Sequence, residues 1–305
     1  MKQIKVKYLL KRIPFLTMIL FLSSPCYAQY QEKHEISFVA NGGYNTLKYD
    51  LTAGKQELGP GGGAGLGYTF FFGNFFGIGT GIEMGYYNAK FSTPSFSDKY
   101  ITYDGEENFE FRYNVNNYTE KQSTFSVNIP LMFQFQLPLF HDEHLCYLAL
   151  GGRVGFPFNS RYKSSGESFK TSGAYDNYGI VIESPKSQGF GTFSNQKYDN
   201  DIKFHTMYIL SAEAGMKWMT SDNFSLYTGI YLDYGINNIA QKESKYFLNY
   251  SPDAPASFPN ESILNSRFTP QNEIPVSFTN KVIPAAIGLK IRLAFRFSEP
   301  RGCCP

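Results

Sequence analysis

From Glu35 onward the chain alternates apolar and polar residues with a period of two over stretches of ten or more positions. That is longer than the five or six residues usual in soluble strands. Residues 124–137 show it most clearly. Phe125, Val127, Ile129, Leu131, Phe133, Phe135 and Leu137 share one face, and Thr124, Ser126, Asn128, Met132, Gln134 and Gln136 share the other. The stretch 282–297 repeats the design, with Ile283, Ile287, Leu289, Ile291, Leu293 and Phe295 opposite Ala286, Gly288, Lys290, Arg292 and Arg296. The alternation also runs through 75–87, 207–219 and 224–237, and less regularly through 35–44, 61–71 and 144–156. Eight strands are therefore predicted. A soluble sandwich strand of this length breaks its pattern at a bulge or bend, whereas a lipid-facing strand keeps one side apolar throughout. An even number of antiparallel strands is what a closed single-chain transmembrane barrel requires.

The connections carry a second argument. Those at 45–60, 91–121, 157–204 and 239–281 are long, and those at 72–74, 138–143 and 220–223 are short, in strict alternation. One rim therefore holds nearly all the irregular chain. In transmembrane barrels the short turns are periplasmic and the long loops extracellular, which places both chain ends in the periplasm. The long connections also contain Phe109, Phe111, Tyr113, Tyr162, Phe169, Tyr175, Phe190, Phe193 and Tyr246. This predicts that the strands continue beyond the membrane as an aromatic-stabilised collar, with 108–115 as a hairpin arm.

Composition agrees with strands. The 305 residues include 28 Gly, 23 Tyr and 29 Phe against 28 Lys+Arg and 26 Asp+Glu, too aromatic for a disordered chain and too poor in helix formers for a long-helix protein. The first 28 residues carry Lys2, Lys5, Lys7, Lys11 and Arg12 with no acid. A short apolar run at 13–22, interrupted by Pro14, and the close Cys26-Tyr27-Ala28 follow, the form of a secretory signal cut before Gln29. Such a run is too short to cross about 30 Å of hydrocarbon as a helix. Pro25 argues against lipid attachment at Cys26. The predicted division is 1–28 signal peptide, 29–297 barrel and 298–305 short tail. Cys146, Cys303 and Cys304 remain, which is no disulfide framework. Beyond the signal, 23 basic residues stand against 26 acidic ones, a balance that suggests no nucleic-acid partner.

Eight strands enclose an interior just wide enough to be filled by side chains. Turning the polar faces inward places Glu83, Arg153, Glu213, Lys217, Asp233, Lys290, Arg292 and Arg296 there, three acids against five bases. A network of ion pairs is predicted, because unpaired charges in that space would be costly. Catalysis by Glu83, Glu213 and Asp233 is the alternative, weakened by the Lys and Arg residues they must neutralise. An interior of this kind is expected to accept a charge at Met132 more readily than the lipid face accepts one at Leu131. Gly59, Gly61, Gly62, Gly63, Gly65 and Gly67 do not form a phosphate-cradling loop, since they run into strand and lack its Gly-Lys-Ser/Thr ending. His141 and His144 lack the His-Glu-x-x-His spacing of a zinc site, and His34 has no acid or serine pattern around it. His205 can be drawn with Asp201 and Ser194 as a triad, though nothing in the spacing specifies that serine. No catalytic residue, metal or cofactor is assigned.

The early Gly42-Gly43-Tyr44, the glycine-aromatic run Gly65-Leu66-Gly67-Tyr68 and the final Ile287-Gly288-Leu289-Lys290-Ile291-Arg292-Leu293-Ala294-Phe295-Arg296-Phe297 carry a resemblance. The chain resembles the eight-stranded outer-membrane barrels of the OmpA-like and PorT-like kind abundant in the Bacteroidota. That resemblance implies the cell outer membrane, contact with its lipids, and recognition of the last strand by the outer-membrane assembly machinery through a terminal aromatic, matched by Phe297. The eight residues after Phe297 depart from the pattern, and no peptidoglycan-binding domain follows. Such barrels include secretion accessories, adhesins and structural proteins. The reading that follows is a non-enzymatic barrel with a closed core, whose long loops bind an extracellular or envelope partner. The alternatives are an accessory of a secretion or transport complex and a lipid-modifying enzyme.

Overall fold

A computed structural model describes residues 33–139, 144–221, 223–241, 245–257, 259–269 and 274–297. The segment 1–28, His141 and the tail 298–305 with Cys303 and Cys304 lie outside the described residues. The strands are β1 (His34–Leu51), β2 (Lys55–Leu58), β3 (Gly61–Phe71), β4 (Phe76–Tyr103), β5 (Asn108–Leu139), β6 (His144–Tyr175), β7 (Ile180–Ile182), β8 (Gly191–Asp201), β9 (Met207–Ser221), β10 (Phe224–Gly235), β11 (Arg267–Phe268), β12 (Val276–Ser277) and β13 (Thr279–Phe297). Eight of them, β1, β3, β4, β5, β6, β9, β10 and β13, form a ring in which each is antiparallel to the next. β13 closes the ring on β1, from His34 opposite Phe297 to Tyr49 opposite Val282. The fold is an all-β, eight-stranded antiparallel barrel.

The outer wall is an apolar belt. Leu131 is 54% exposed while its neighbour Met132, facing inward, is 7% exposed. The same alternation exposes Ile36, Phe38, Ile82, Leu150, Leu210, Ile230, Leu289 and Ile291. Aromatic residues edge the belt at both ends. Phe76 and Phe135 stand at the short-turn end, and Tyr44, Tyr86, Phe125, Phe158, Tyr208 and Tyr234 at the other. Phe76 and Tyr86 are ten residues apart on β4, about 33 Å along the strand. A tilt of about 40° reduces this to about 25 Å, the height of the lipid-facing band in transmembrane barrels.

The wall continues beyond the belt as the collar expected from the aromatic long connections, with longer strands than the alternation alone marks out. The segment 91–121 is the outer half of β4 and β5, joined by a turn at 104–107, and β6 runs on to Tyr175. The 45–60 connection adds the end of β1 and also β2, which pairs with β4, while β7 and β8 pair with β6. The result is a sheet projecting well beyond the belt. It was less legible because its inner face is aromatic and its outer face polar, with no lipid to demand an apolar outside. A second reason is a change of parity. Pairing lapses at Pro94, Asn117, Glu167 and Asn195, which lie abreast on β4, β5, β6 and β8. Asn117 and Asn195 have φ of 49° and 53°, a left-handed conformation that Asn tolerates better than most residues, and Pro94 has no N–H to donate. Tyr118 points inward on one side of this row and Val115 on the other.

The described residues of the connection 239–281 include a buried apolar set. Phe247, Leu248, Ile263, Leu264, Phe268 and Phe278 are buried inside the projection. They pack with wall residues Phe91, Phe111, Tyr118 and Phe169, and Phe96 meets Phe247 and Phe278 edge-on with ring centroids 5.0 Å apart. The collar thus has its own apolar core, filled by the chain that leads from β10 to β13.

Candidate functional site

Within the belt, five strands bring one ion cluster together. Arg153 on β6 reaches Glu83 on β4 through Nη1 (2.5 Å), Glu213 on β9 through Nη2 (2.9 Å) and Asp233 on β10 through Nε (3.4 Å). Lys290 on β13 bridges Glu83 at 3.1 Å and Glu213 at 2.5 Å. Gly65 on β3 leaves the space for Glu83, since a Cβ there would lie 2.9 Å from the Glu83 Cγ.

A second tier lies nearer the short turns. Lys217 is ion-paired with Glu35, whose other oxygen accepts the Tyr227 hydroxyl at 2.6 Å. The Arg292 guanidinium lies 4.0 Å from the Tyr227 ring centroid and donates to Gln134 at 2.9 Å. Glu35 was missed in the interior set although its parity matches Ser37 and Val39, because it opens the first strand and looks like a solvated end. Arg296 lies at the rim, where Nη2 donates to the Ser221 carbonyl at 2.8 Å. With Glu35 counted and Arg296 at the rim, the two tiers hold four acids and four bases, in place of three against five.

The remaining chemistry-bearing residues are scattered. β8 is extended from Gly191 to Asp201, so Ser194 stands seven residues, about 23 Å, along the strand from Asp201. The drawn triad is not assembled. His34 Nδ1 and the Tyr68 hydroxyl are hydrogen-bonded at 2.7 Å and the His34 ring stacks on Phe297 at 5.4 Å, while His144 packs edge-on to Trp218. The glycines from 61 to 67 lie in β3. Among the described residues no group of His, Cys, Asp or Glu is arranged to hold a metal.

In the projection, polar anchors hold the segment 239–281. Glu120, fully buried on β5, accepts hydrogen bonds from Tyr118 (2.5 Å), Gln122 (2.7 Å), the Ile263 N–H (3.1 Å) and the Ser262 hydroxyl. Asn260 donates to the Tyr118 hydroxyl at 2.9 Å and receives bonds from Tyr162 and Ser164. Asp98 accepts from Tyr113 at 2.6 Å and from the Thr269 N–H at 2.7 Å. Burial pushes the Glu120 carboxyl above its ordinary range, and bonds from Ser262, Tyr118, Ile263 and Gln122 offset only part of that. Asp98 is raised for the same reason. A carboxyl raised in the folded state adds stability that is complete below its ordinary value and is lost as pH climbs through the raised one. Resistance of 245–257 to proteolytic nicking should therefore increase as pH falls through that window. Glu120→Gln should remove its share of the dependence and, by setting an amide N–H₂ against existing donors, loosen the segment at neutral pH. A nicking profile identical in the two proteins would contradict the assignment of Glu120 as an anchor.

At the far end of the projection a cleft of about 440 Å³ is lined by Asp104, Glu107, Tyr175, Tyr178, Tyr250 and Pro255, among others. Asp104 is structural. Burial acts to raise its carboxyl but is outweighed by the N–H groups of Glu107 and Glu106 and by the Tyr175 hydroxyl, so it lies below its ordinary value. Beside the cleft, Tyr178 is 65% exposed, and Ile180 and Val181 are exposed with it.

A closed barrel with an apolar belt, two aromatic edges and a charged interior defines a transmembrane β-barrel protein of the outer-membrane type. Residues 27–295 match the family described as outer membrane protein beta-barrel domain. The chain belongs to that family, and it is located in the cell outer membrane. No curated protein matches it. Among solved structures it is similar to OprG from Pseudomonas aeruginosa, with 12% identity, 88% of this chain and 97% of that chain covered, and a TM-score of 0.37. Neisserial surface protein A gives 9% identity, coverage of 88% and 98%, and a TM-score of 0.34. Ail, the attachment invasion locus protein of Yersinia pestis, gives 13% identity, coverage of 88% and 100%, and a TM-score of 0.29. At these values none of them lends this chain a role.

Proposed function

We propose that this is a non-enzymatic surface protein whose closed barrel anchors a rigid extracellular projection, and that the distal end of the projection binds a partner. The exposed apolar group Tyr178, Ile180 and Val181 carries the reading. Apolar side chains gathered at the tip of an ordered support mark an interaction surface. In this reading segment 1–28 is removed on export, Phe297 serves as the signal to the assembly machinery, the chain ends face the periplasm, and the finer kinship is to the PorT-like and OmpA-like barrels of the Bacteroidota. The separation of Ser194 from Asp201 and His205 disfavours a lipid-modifying enzyme.

The test is a photo-crosslinking residue placed at Ile180 or at Gly73 in intact cells. Adducts at position 180 and none at position 73 are expected. Adducts confined to position 73 would reverse the topology and favour an accessory of an envelope complex. The closed core has its own consequence. The interior is filled by the two ionic tiers, and a void of about 30 Å³ beside Glu83, Glu213, Lys290 and Arg292 has room for a water or two. Purified protein in a planar bilayer should therefore show no steady conductance, and a stable ohmic channel would refute closure.

A further inference from the structure

A ring of lysines stands at one height around the barrel. Lys48 on β1, Lys90 on β4 and Lys121 on β5 each lie four residues beyond an outward aromatic at the belt edge, namely Tyr44, Tyr86 and Phe125. Lys163 on β6 lies five beyond Phe158, across the irregularity at Asn159, and Lys203 lies five before Tyr208. Lys281 on β13 is opposite Asp50, close to Lys48. Four residues along a tilted strand are about 10 Å of height. The headgroup layer beyond the hydrocarbon is about 5–8 Å thick, and a lysine stem can reach back toward it.

On one side of the ring the arrangement has a cost. Lys90 is directly opposite Lys121, and Lys121 is directly opposite Lys163. Side chains paired in this way start about 5 Å apart, and like charges so placed are destabilising. The outer two have partners, Lys90 with Glu57 at 3.2 Å and Lys163 with Asp199 at 3.1 Å. Asp199 is shared with Arg161 at 3.2 Å, and Arg161 also meets Asp201 at 3.6 Å, so two bases face two carboxylates on that flank. Lys121, in the middle, is exposed and has no carboxylate partner among the described residues. An anion between the three lysines would turn the repulsion into attraction. The site is continuous with the lipid-facing belt, so an anion held by the membrane itself is already in place.

We infer that Lys90, Lys121 and Lys163 form a binding site for the phosphate of a membrane lipid headgroup, centred on Lys121. Assigning that lipid to the outer leaflet rests on the extracellular orientation proposed above. Binding of this kind fits the barrel's height in the bilayer and gives the base of the projection a fixed contact with the surface around it.

The experiment compares full-length protein and the variants Lys121→Gln and Lys121→Arg in symmetric vesicles. One set is phosphatidylcholine alone, and the other adds a minor fraction of phosphatidic acid, whose headgroup is a bare phosphate. Heat-unfolding midpoints and the number of phosphatidic acid molecules retained in native mass spectra are measured. The unmodified protein should gain at least about 3 °C from phosphatidic acid and retain the lipid. Lys121→Gln should lose most of the gain while being no less stable in phosphatidylcholine, because a like-charge contact has gone, and Lys121→Arg should keep it. Equal gains in the unmodified and Gln proteins would overturn the site. The same gain from inorganic phosphate in phosphatidylcholine vesicles, or a larger one from a soluble sulfated polymer, would overturn the lipid as its ligand. Orientation is read separately, by labelling Lys121→Cys in intact cells with a membrane-impermeant reagent. Failure to label would move the lipid to the inner leaflet and leave the vesicle result unaffected.

Discussion

Arg153→Met should prevent the barrel from reaching its heat-modifiable folded form, or leave it unfolding at much lower urea. Three carboxylates, Glu83, Glu213 and Asp233, converge on this one guanidinium. Without it only Lys290 remains between two of them. Removing one member of a buried ionic group costs about 3–5 kcal/mol because its partners stay buried and uncompensated, a large part of the roughly 5–15 kcal/mol that holds a typical domain folded. Arg153→Lys should fall between, since one ammonium cannot present the guanidinium fork to three acceptors. Adding Glu213→Gln to Arg153→Met should recover part of the loss by restoring the charge count. The readout is the urea midpoint of the gel-mobility shift. An unchanged midpoint for Arg153→Met would show that the cluster does not support the fold.

Leu131→Arg should impair membrane assembly strongly, whereas Ile101→Arg should be nearly silent. Both are exposed apolar residues of the same wall, at 54% and 65%, but Leu131 lies in the middle of the belt and Ile101 on the projection. A charge on the lipid face near the midplane costs roughly 2–4 kcal/mol, while an ordinary surface exchange stays within about 0.5 kcal/mol. Met132→Arg is not the mild control that an accommodating polar interior would make it. Met132 adjoins a void of about 30 Å³ already lined by Lys290 and Arg292, so a further base there meets two others and no room. Equal assembly yields for Leu131→Arg and Ile101→Arg would displace the belt from its assigned height.

The eight wall strands were legible because lipid imposes an unbroken apolar face, and residues 124–137 and 282–297 state it without interruption. Inward parity placed Glu83, Arg153, Glu213, Lys217, Asp233, Lys290 and Arg292 on one side, although the choice of partners depends on stagger between strands. Glu35 and Arg296 show the limit of parity, which gives a side of the wall and no depth. The projection was harder to read. Once water replaces lipid outside, Ser95, Ser97 and Lys99 alternate with Phe96, Asp98 and Tyr100 in a pattern that also suits a loop. The shift at Pro94 and Asn117 then breaks the count. Segment 239–281 has no period at all, because it is held by single contacts such as Glu120 to Ile263 and Asp98 to Thr269.

β4, β5 and β6 pass from the belt into the projection as single strands. A pull applied at the 104–107 turn would therefore travel into the membrane along the backbone, with no interdomain linker to stretch first. Such a pull draws β4 and β5 together, so the load falls on the ladders to their other neighbours, β3–β4 from Phe71–Gly77 to Gly62–Tyr86 and β5–β6 from Leu139–His144 to Glu110–Ala174. Their hydrogen bonds are loaded in shear, many together, and do not peel in turn. The tip is in this sense a mechanical extension of the wall, and a partner held there, as proposed above, would stay tethered for as long as the barrel itself stays in the bilayer.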